Sequence, residues 1–150
     1  MLTNLKKVFR TDLEKLKTEI QQYTLEKNIW VVDKAIANAA GNLCLHLVGN
    51  LNTYIGAQLG GSGYVRNRPL EFSLKDVPRS ELIQKIENTI AVVERTLDSL
   101  HNKDLSKPHA FQVFEEETSV EFLLLHLSAH LAYHLGQINY HRRLLDNKLA

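Results

Sequence analysis

Apolar residues recur at spacings of three and four along most of the chain, which is the period of an amphipathic α-helix. Four segments carry this pattern, and none alternates apolar and polar residues in the way of a half-buried β-strand. They run to about residue 23, from about 33 to 59, from about 78 to 100 and from about 118 to 146. The pattern predicts an all-α fold, an antiparallel four-helix bundle, formed by a single domain of residues 1–150.

Local signals predict where two of these helices begin and where one ends. Asp33 is a suitable N-cap for the second helix, and the glycine pair at 60 and 61 is a suitable stop. Thr118 and Glu121 have the spacing of a capping box at the start of the fourth helix. The ends of a helix leave backbone groups without internal partners, and residues of these types satisfy them.

Two predicted linkers, residues 60–77 and 101–117, are long for a compact domain. Loops of such length usually carry function or wrap around the body of the protein. The second linker contains Phe111, Val113 and Phe114, which predicts that it packs back against the helices.

Composition and charge exclude several kinds of partner and site. The formal net charge is +1 with neutral histidine, so no bulk electrostatic field recruits nucleic acid or an anionic membrane. No apolar run is long enough to cross a bilayer, and the first residues lack the apolar region of a signal peptide. Cys44 is the only cysteine, which excludes an intramolecular disulfide, a zinc ribbon and a CxxC redox site. We expect a cytoplasmic protein in which any metal site uses histidine and carboxylate ligands.

The stretch "HLSAHLAYHLGQ", residues 126–137, places His126, His130 and His134 four residues apart. A step of four residues advances the direction on a helix by only about 40°, so the three imidazoles form a stripe at the edge of the apolar face. They are either polar core residues, each satisfied by a hydrogen bond, or metal ligands. Burial of three unpartnered imidazoles would cost roughly several kcal/mol, whereas an i, i+4 pair can converge on one ion. The pattern favours the metal site.

A metal site needs a further ligand from another helix, and the second segment offers His46. Its surroundings, "GNLCLHLVGN", are too apolar for a surface face. Three neutral imidazoles from two helices would leave a coordination position open, as in a reactive rather than a structural metal centre. The alternative for His46 is a hydrogen-bonded core histidine. Cys44 points away from His46 on a helix, and we predict that it is a small core residue.

The pairing of "LCLHLVGNLNTYIG" with "HLAYHLGQI" resembles the DinB-like superfamily, in which a helix-two histidine accompanies a helix-four H-x3-H that is followed by x-G-Q. The resemblance covers nearly the whole chain, and the loop "GGSGYVRNRPLEFSLKDVPR" is similar to an uncharacterised subgroup. It implies a four-helix bundle with up-down-down-up topology, often homodimeric. It also implies a divalent metal held by His46, His130 and His134. Many members have arginine where this chain has Leu135, so the role of that arginine is absent or has moved.

The same resemblance implies a chemistry. Characterised relatives include transferases and isomerases that use a low-molecular-weight thiol such as bacillithiol, mycothiol or glutathione, which the metal activates as the thiolate. We therefore predict a divalent-metal-dependent enzyme on a small-molecule substrate, either a thiol-dependent transferase or isomerase or a hydrolase. Zn or Ni, and otherwise Fe or Mn, are the expected metals. The alternative is a non-catalytic dimeric bundle that acts as a stress-response or ligand-binding protein.

Further polar residues are candidates for the surroundings of the metal. Asn42 and Asn50 lie one turn on either side of His46 and could orient it or a water molecule, or else bond between helices. His126 and Gln137 extend the stripe and could orient its other members; one helix rarely aims three consecutive i, i+4 residues at one ion, so His126 is not predicted as a ligand. No Asp or Glu lies mid-helix near the stripe, which disfavours a hydrolase that uses general acid–base catalysis.

The first long linker carries a second group of candidates, Tyr64, Arg66 and Arg68. Two guanidinium groups and a tyrosine on a glycine-hinged loop could bind a carboxylate or phosphate of a substrate. The alternative is that the arginines pair with acidic residues of the protein surface.

Overall fold

The computed structural model describes residues 1–110 and 114–146. Within these ranges the protein is all-helical and has no β-strand, with one isolated β-bridge between Pro108 and Ser119. Five α-helices follow one another along the chain: α1 (Leu2–Gln22), α2 (Ala40–Leu51), α3 (Arg68–Ser73), α4 (Arg79–Ser99) and α5 (Val120–Leu145). Short 3-10 turns lie at Glu26–Trp30 and Asn102–Asp104.

The core lies between the four longer helices. α1 packs against α4 and α5, and α2 packs against the same two helices. Each helix turns its three- and four-spaced apolar residues inward, and those without solvent exposure include Phe9, Leu16, Leu47, Ile86 and Leu123. The predicted all-α class is therefore confirmed, and the bounds of α1 and α4 agree with the apolar period.

The start of α2 differs from the prediction. The helix begins at Ala40 rather than at Asp33, and Lys34 has a φ of 54° in the turn before it. The Trp30 ring lies over Gly41, where an added Cβ would be 2.6 Å from ring atoms. A helix running from residue 30 to residue 41 would hold these residues about 16 Å apart. Burial of the indole against Gly41 therefore requires the intervening chain to fold back.

α2 continues without a break into a π-helical stretch, Asn52–Leu59, which ends at Gly60. The predicted stop at the glycine pair is thus confirmed. Gly61 adopts a φ of 63°, a left-handed conformation that glycine adopts without steric cost. Every residue of α2 is buried, and these include Asn42, His46 and Asn50, which recur every four residues in an otherwise apolar helix.

The fourth predicted helix begins one residue later than the capping box proposed. Ser119 is the N-cap of α5, and its hydroxyl accepts a hydrogen bond from the Phe122 amide at 3.1 Å. Thr118 does not cap the helix, because its hydroxyl lies 2.6 Å from Nε2 of His109. The capping-box prediction is therefore wrong, although the helix end near Asp146 is confirmed.

Both long linkers pack against the helices. The first contains α3, which the sequence pattern did not predict because six residues are too few to show a helical period. The side-chain amide of Asn42 on α2 holds α3 by donating to the carbonyls of Glu71, at 3.0 Å, and Leu74, at 2.8 Å. In the second linker Phe114 packs against the core, whereas Phe111 and Val113 lie outside the described residues.

None of the helices in the described part of the chain is both long and apolar enough to span a membrane. Cys44 is fully buried, and burial raises the pKa of its thiol to about 12. The prediction that Cys44 is a core residue is confirmed.

Candidate metal centre

Three imidazoles meet between α2 and α5. Nε2 of His130 lies 3.2 Å from Nε2 of His46 and 3.2 Å from Nε2 of His134. Among the described residues these three histidines form a group that could hold a metal ion, with ligand atoms within 4.8 Å of one another. We call them the histidine triad. The sequence placed two of them on one helix face, and the fold brings the third to the same point.

The donor geometry fits a metal better than a hydrogen-bonded cluster. One ring nitrogen carries either one hydrogen or one lone pair, so Nε2 of His130 cannot make good hydrogen bonds to two other imidazoles at once. Tetrahedral zinc with Zn–N bonds of about 2.05 Å holds its nitrogen ligands about 3.3 Å apart. The two distances of 3.2 Å are close to that separation.

The carboxylate of Glu71 orients the His46 ring through a hydrogen bond at Nδ1. His46 is buried, with 7% of its surface exposed, and its Nδ1 lies 3.1 Å from Oε1 of Glu71. Because a carboxylate only accepts hydrogen bonds, the hydrogen of the neutral ring sits on Nδ1, and the Nε2 lone pair faces the triad. Burial lowers the pKa of His46, although Glu71 opposes the shift. The ring is therefore neutral and able to ligate at neutral pH.

Glu71 lies on α3 and is itself buried, with 6% exposure. Arg66 donates to both of its oxygens, from Nε to Oε2 at 2.8 Å and from Nη2 to Oε1 at 2.9 Å. Nη2 of Arg66 is also 3.4 Å from Nδ1 of His46, but these two atoms are donors that share Oε1, so this contact is not a hydrogen bond. Sequence reasoning missed Glu71, because it lies in a linker, and the nearby Arg66 was the only signal of a buried acid.

Gly49 on α2 makes room for this carboxylate. A Cβ at position 49 would collide with Oε2 of Glu71 and would lie 2.6 Å from Cδ. Glycine weakens a helix interior relative to alanine by about 1 kcal/mol. The cost of Gly49 to α2 is offset here by the close approach of α3.

The two α5 histidines of the triad are held differently. Nδ1 of His134 lies 2.7 Å from Oε1 of Gln137, an exposed side chain one turn along the same helix. Donation from Nδ1 again leaves the Nε2 lone pair facing the triad. The buried Nδ1 of His130 has no hydrogen-bond partner among the described residues. Burial, together with the neighbouring histidines, lowers the pKa of His130 to about 4.

The remaining candidates on α2 and α5 are not members of the triad. The side chain of Asn42 already has its hydrogen-bond partners. Its Nδ2 donates to the carbonyls of Glu71 and Leu74, and its Oδ1 accepts from Nζ of Lys75 at 2.6 Å. The buried Oδ1 of Asn50 has no partner in the described part of the chain. His126 is exposed and does not belong to the metal-binding group; its ring makes an edge contact with Phe114, with centroids 4.8 Å apart.

The arginines of the first linker have separate environments. Arg66 pairs with the buried Glu71, whereas the guanidinium of Arg68 stacks over the Phe72 ring, 5.2 Å from its centroid. The Phe72 ring in turn lies 5.0 Å from the His46 ring. Tyr64 is 39% exposed. Substrate binding by this segment stays a prediction.

A cleft of about 420 Å³ has Gln137 among its lining residues. Residues 35–38 and the last turns of α5 form its walls, which are mostly apolar and include Ile36, Leu43 and Leu144. Among the residues that the structure describes, no Asp, Glu, Lys or Arg lines the cleft. Gln137 borders both the cleft and the histidine triad, so a molecule in the cleft would lie next to the side chain that orients His134.

His141 also borders this cleft but belongs to the core. It is 4% exposed, it accepts a hydrogen bond from the Tyr23 hydroxyl at Nδ1, over 2.7 Å, and it donates from Nε2 to the Val31 carbonyl over 2.8 Å. Both ring nitrogens are therefore satisfied without a metal. Burial lowers the pKa of His141.

We expect the metal-free protein to lose stability as the pH falls from 7.5 to 5.5. The pKa values of His46, His130 and His141 are lowered in the folded state, so below the unfolded value of about 6.5 the unfolded chain binds more protons. The stabilisation is complete above that value and is lost as the pH falls towards the folded pKa values, on the order of 1–2 kcal/mol per pH unit. Urea unfolding at both pH values measures this, and an unchanged free energy of unfolding would contradict it.

The comparison with known protein families identifies the family of this chain. Residues 1–149 match the family model described as a protein of unknown function, DUF1572. No curated protein matches the chain. The match spans both α2 and α5, so it includes all three histidines of the triad. The chain therefore belongs to the DUF1572 family, which is part of the DinB-like superfamily.

Proposed function

We propose that this protein is a divalent-metal-dependent enzyme that acts on a small molecule and binds its metal through His46, His130 and His134. The observation that carries the proposal is the convergence of three Nε2 atoms, 3.2 Å apart in two of the pairs. In two of the rings Glu71 and Gln137 hold the hydrogen on Nδ1, so the lone pair of each ring lies on the Nε2 atom that is near His130.

The metal we propose is zinc or nickel, with iron and manganese as the alternatives, because availability largely decides which ion neutral imidazoles take. A divalent ion bound there would act as a Lewis acid and lower the pKa of a coordinated thiol or water. Burial lowers the pKa of His46 and of His130, so metal binding does not first require the deprotonation of these two rings at neutral pH.

The protein's own side chains favour thiol transfer or isomerisation over hydrolysis. The carboxylate of Glu71 lies behind the His46 ring and is paired with Arg66, so it is not free to take a proton from a water molecule. In the described part of the chain, no carboxylate belongs to the metal-binding group. We therefore propose a low-molecular-weight thiol as cosubstrate, in agreement with the chemistry of characterised superfamily members.

The mostly apolar lining of the cleft beside Gln137 supports a substrate with an apolar part. Tyr64 and Arg68 are exposed on the linker that follows α2, and we propose that they contact its polar part. Arg66 does not contact the substrate in this proposal, because its guanidinium donates hydrogen bonds to both oxygens of Glu71.

The proposal predicts that a thiol binds only to the metal-loaded protein. Glutathione and cysteine are titrated calorimetrically into untagged protein loaded with Zn²⁺ and into the same protein after chelation. We expect binding heat in the first sample and none in the second, with methionine as a thioether control that gives no heat in either. Equal binding to both samples would exclude a thiol site at the metal.

A non-catalytic dimeric protein is the alternative, and one observation favours association. Large apolar side chains are exposed along one face of α5: Phe122, Leu125, Tyr133, Tyr140 and Leu144. We propose that this face pairs with a second copy of the chain, and a monomeric mass by light scattering would contradict it. The non-catalytic alternative gains support if chelation leaves the melting temperature unchanged, because a tight ligand of the native state raises it.

Two further expectations remain proposals. We infer that the four long helical segments form a bundle with the up-down-down-up topology that the superfamily resemblance implies. We also retain a cytoplasmic location, since a buried thiol at Cys44 is compatible with a reducing compartment.

A further inference from the structure

We propose that Glu71 is the positioning residue of the metal centre, which holds His46 in the one tautomer that can ligate a metal. This inference rests on the proposed function for its consequence in metal binding. Its geometric part concerns the metal-free protein alone.

The tautomer of His46 decides whether its Nε2 can bind a metal together with the other two histidines. A neutral imidazole carries its hydrogen on Nδ1 or on Nε2, and only the nitrogen without the hydrogen can bind a metal. Nε2 faces the triad, 3.2 Å from Nε2 of His130. The hydrogen must therefore lie on Nδ1, and Oε1 of Glu71, 3.1 Å away, is the acceptor that keeps it there. A negatively charged acceptor at Nδ1–H also makes Nε2 a stronger electron-pair donor to a metal.

The surroundings of Glu71 hold it in this position. Arg66 binds both oxygens, Asn42 binds the backbone carbonyl of Glu71, and Gly49 leaves the space that the carboxylate fills. Buried ion pairs of this kind contribute little to stability, because desolvation of both charges offsets their attraction. The arrangement is therefore better explained by what Glu71 does to His46 than by stabilisation of the fold.

The three ligands differ in how they are oriented. His134 depends on the exposed Gln137 of its own helix, and Nδ1 of His130 has no partner among the described residues. His46 is the ligand whose orientation depends on a buried contact from another helix. Displacement of α3 should therefore change the metal site without any substitution of a ligand.

The test removes the acceptor without leaving a buried charge. In the double variant Arg66→Met with Glu71→Leu, neither member of the pair remains alone, which avoids the large cost of an unpaired charge. A second double variant, Arg66→Met with Glu71→Gln, restores a neutral acceptor for Nδ1–H. The matched control is Arg142→Met with Glu19→Leu, because that pair is also partly buried and bonded at 2.6 Å but joins α1 to α5.

The first readout is nitrogen-15 NMR of the histidine rings in metal-free protein. We expect the Nδ1–H tautomer of His46 in the wild type and the control, the Nε2–H tautomer in the leucine variant, and recovery in the glutamine variant. The second is the Zn²⁺ dissociation constant by chelator competition, which we expect to rise by about 10- to 100-fold in the leucine variant. The glutamine variant should recover part of that loss.

A wild type with His46 in the Nε2–H form overturns the inference, whether or not any variant folds. So does a folded leucine variant that keeps both the wild-type tautomer and the wild-type zinc affinity. A wild type that binds no zinc refutes the proposed function instead, and the tautomer comparison still decides the role of Glu71.

Discussion

Substitution of His130 by alanine should abolish retention of a divalent metal, with a loss of affinity of at least about 100-fold. His130 is the central member of the triad, since its Nε2 contacts both other Nε2 atoms. Loss of a ligand exceeds the roughly 10- to 100-fold effect of removing a residue that only orients one. Metal content of untagged protein, measured by mass spectrometry after dialysis against each metal, gives the result directly.

The matched control for this experiment is His126→Ala. His126 lies one turn before His130 on the same helix, is exposed and stands outside the metal-binding group. It should retain the wild-type metal content. Chelation should lower the melting temperature of the wild type and of this control but not of His130→Ala, because only proteins that bind the ion are stabilised by it. Equal metal content in all three proteins would refute a site at the triad.

Substitution of Gly49 by alanine should weaken both the metal site and the fold. The new Cβ would occupy the position of the Glu71 carboxylate, so α3 must shift away from α2 and His46 would lose its acceptor. Overpacking of this kind costs about 1–3 kcal/mol, which outweighs the gain of about 1 kcal/mol in helix propensity. We expect a lower free energy of unfolding in urea and a zinc affinity reduced by about tenfold or more.

Gly136→Ala is the matched control, because it lies in α5 between two residues of the site yet has open space where a Cβ would be. Helix propensity should there act alone and stabilise the protein by about 0.5–1 kcal/mol, with zinc affinity unchanged. If Gly49→Ala also stabilises the protein and binds zinc normally, the contact between Glu71 and His46 does not depend on the close packing of α3 against Gly49.

Parts of the fold and site that depend on neighbours along the chain were predictable. The helical period located α1, α4 and α5, and the four-residue spacing placed His130 and His134 on one face. His46 was identifiable from its apolar surroundings and from the superfamily motif. These features depend on the geometry of a single helix, which is the same wherever that helix sits.

Other features depended on contacts between distant segments. Glu71 was not predictable, because its role arises from a short helix that packs across α2, 25 positions after His46 in the chain. The late start of α2 has the same origin, since Trp30 must reach Gly41.

The sequence by itself determined α1, α4 and α5, and it placed two of the three imidazoles on one helical face. Only the tertiary structure decided that His46 meets them, which ring nitrogens point inward and which carboxylate lies behind the ring. The physical reason is that helical periodicity is a local property of the backbone. A tautomer is instead set by whichever hydrogen-bond partner the packing of the whole chain brings to the other nitrogen.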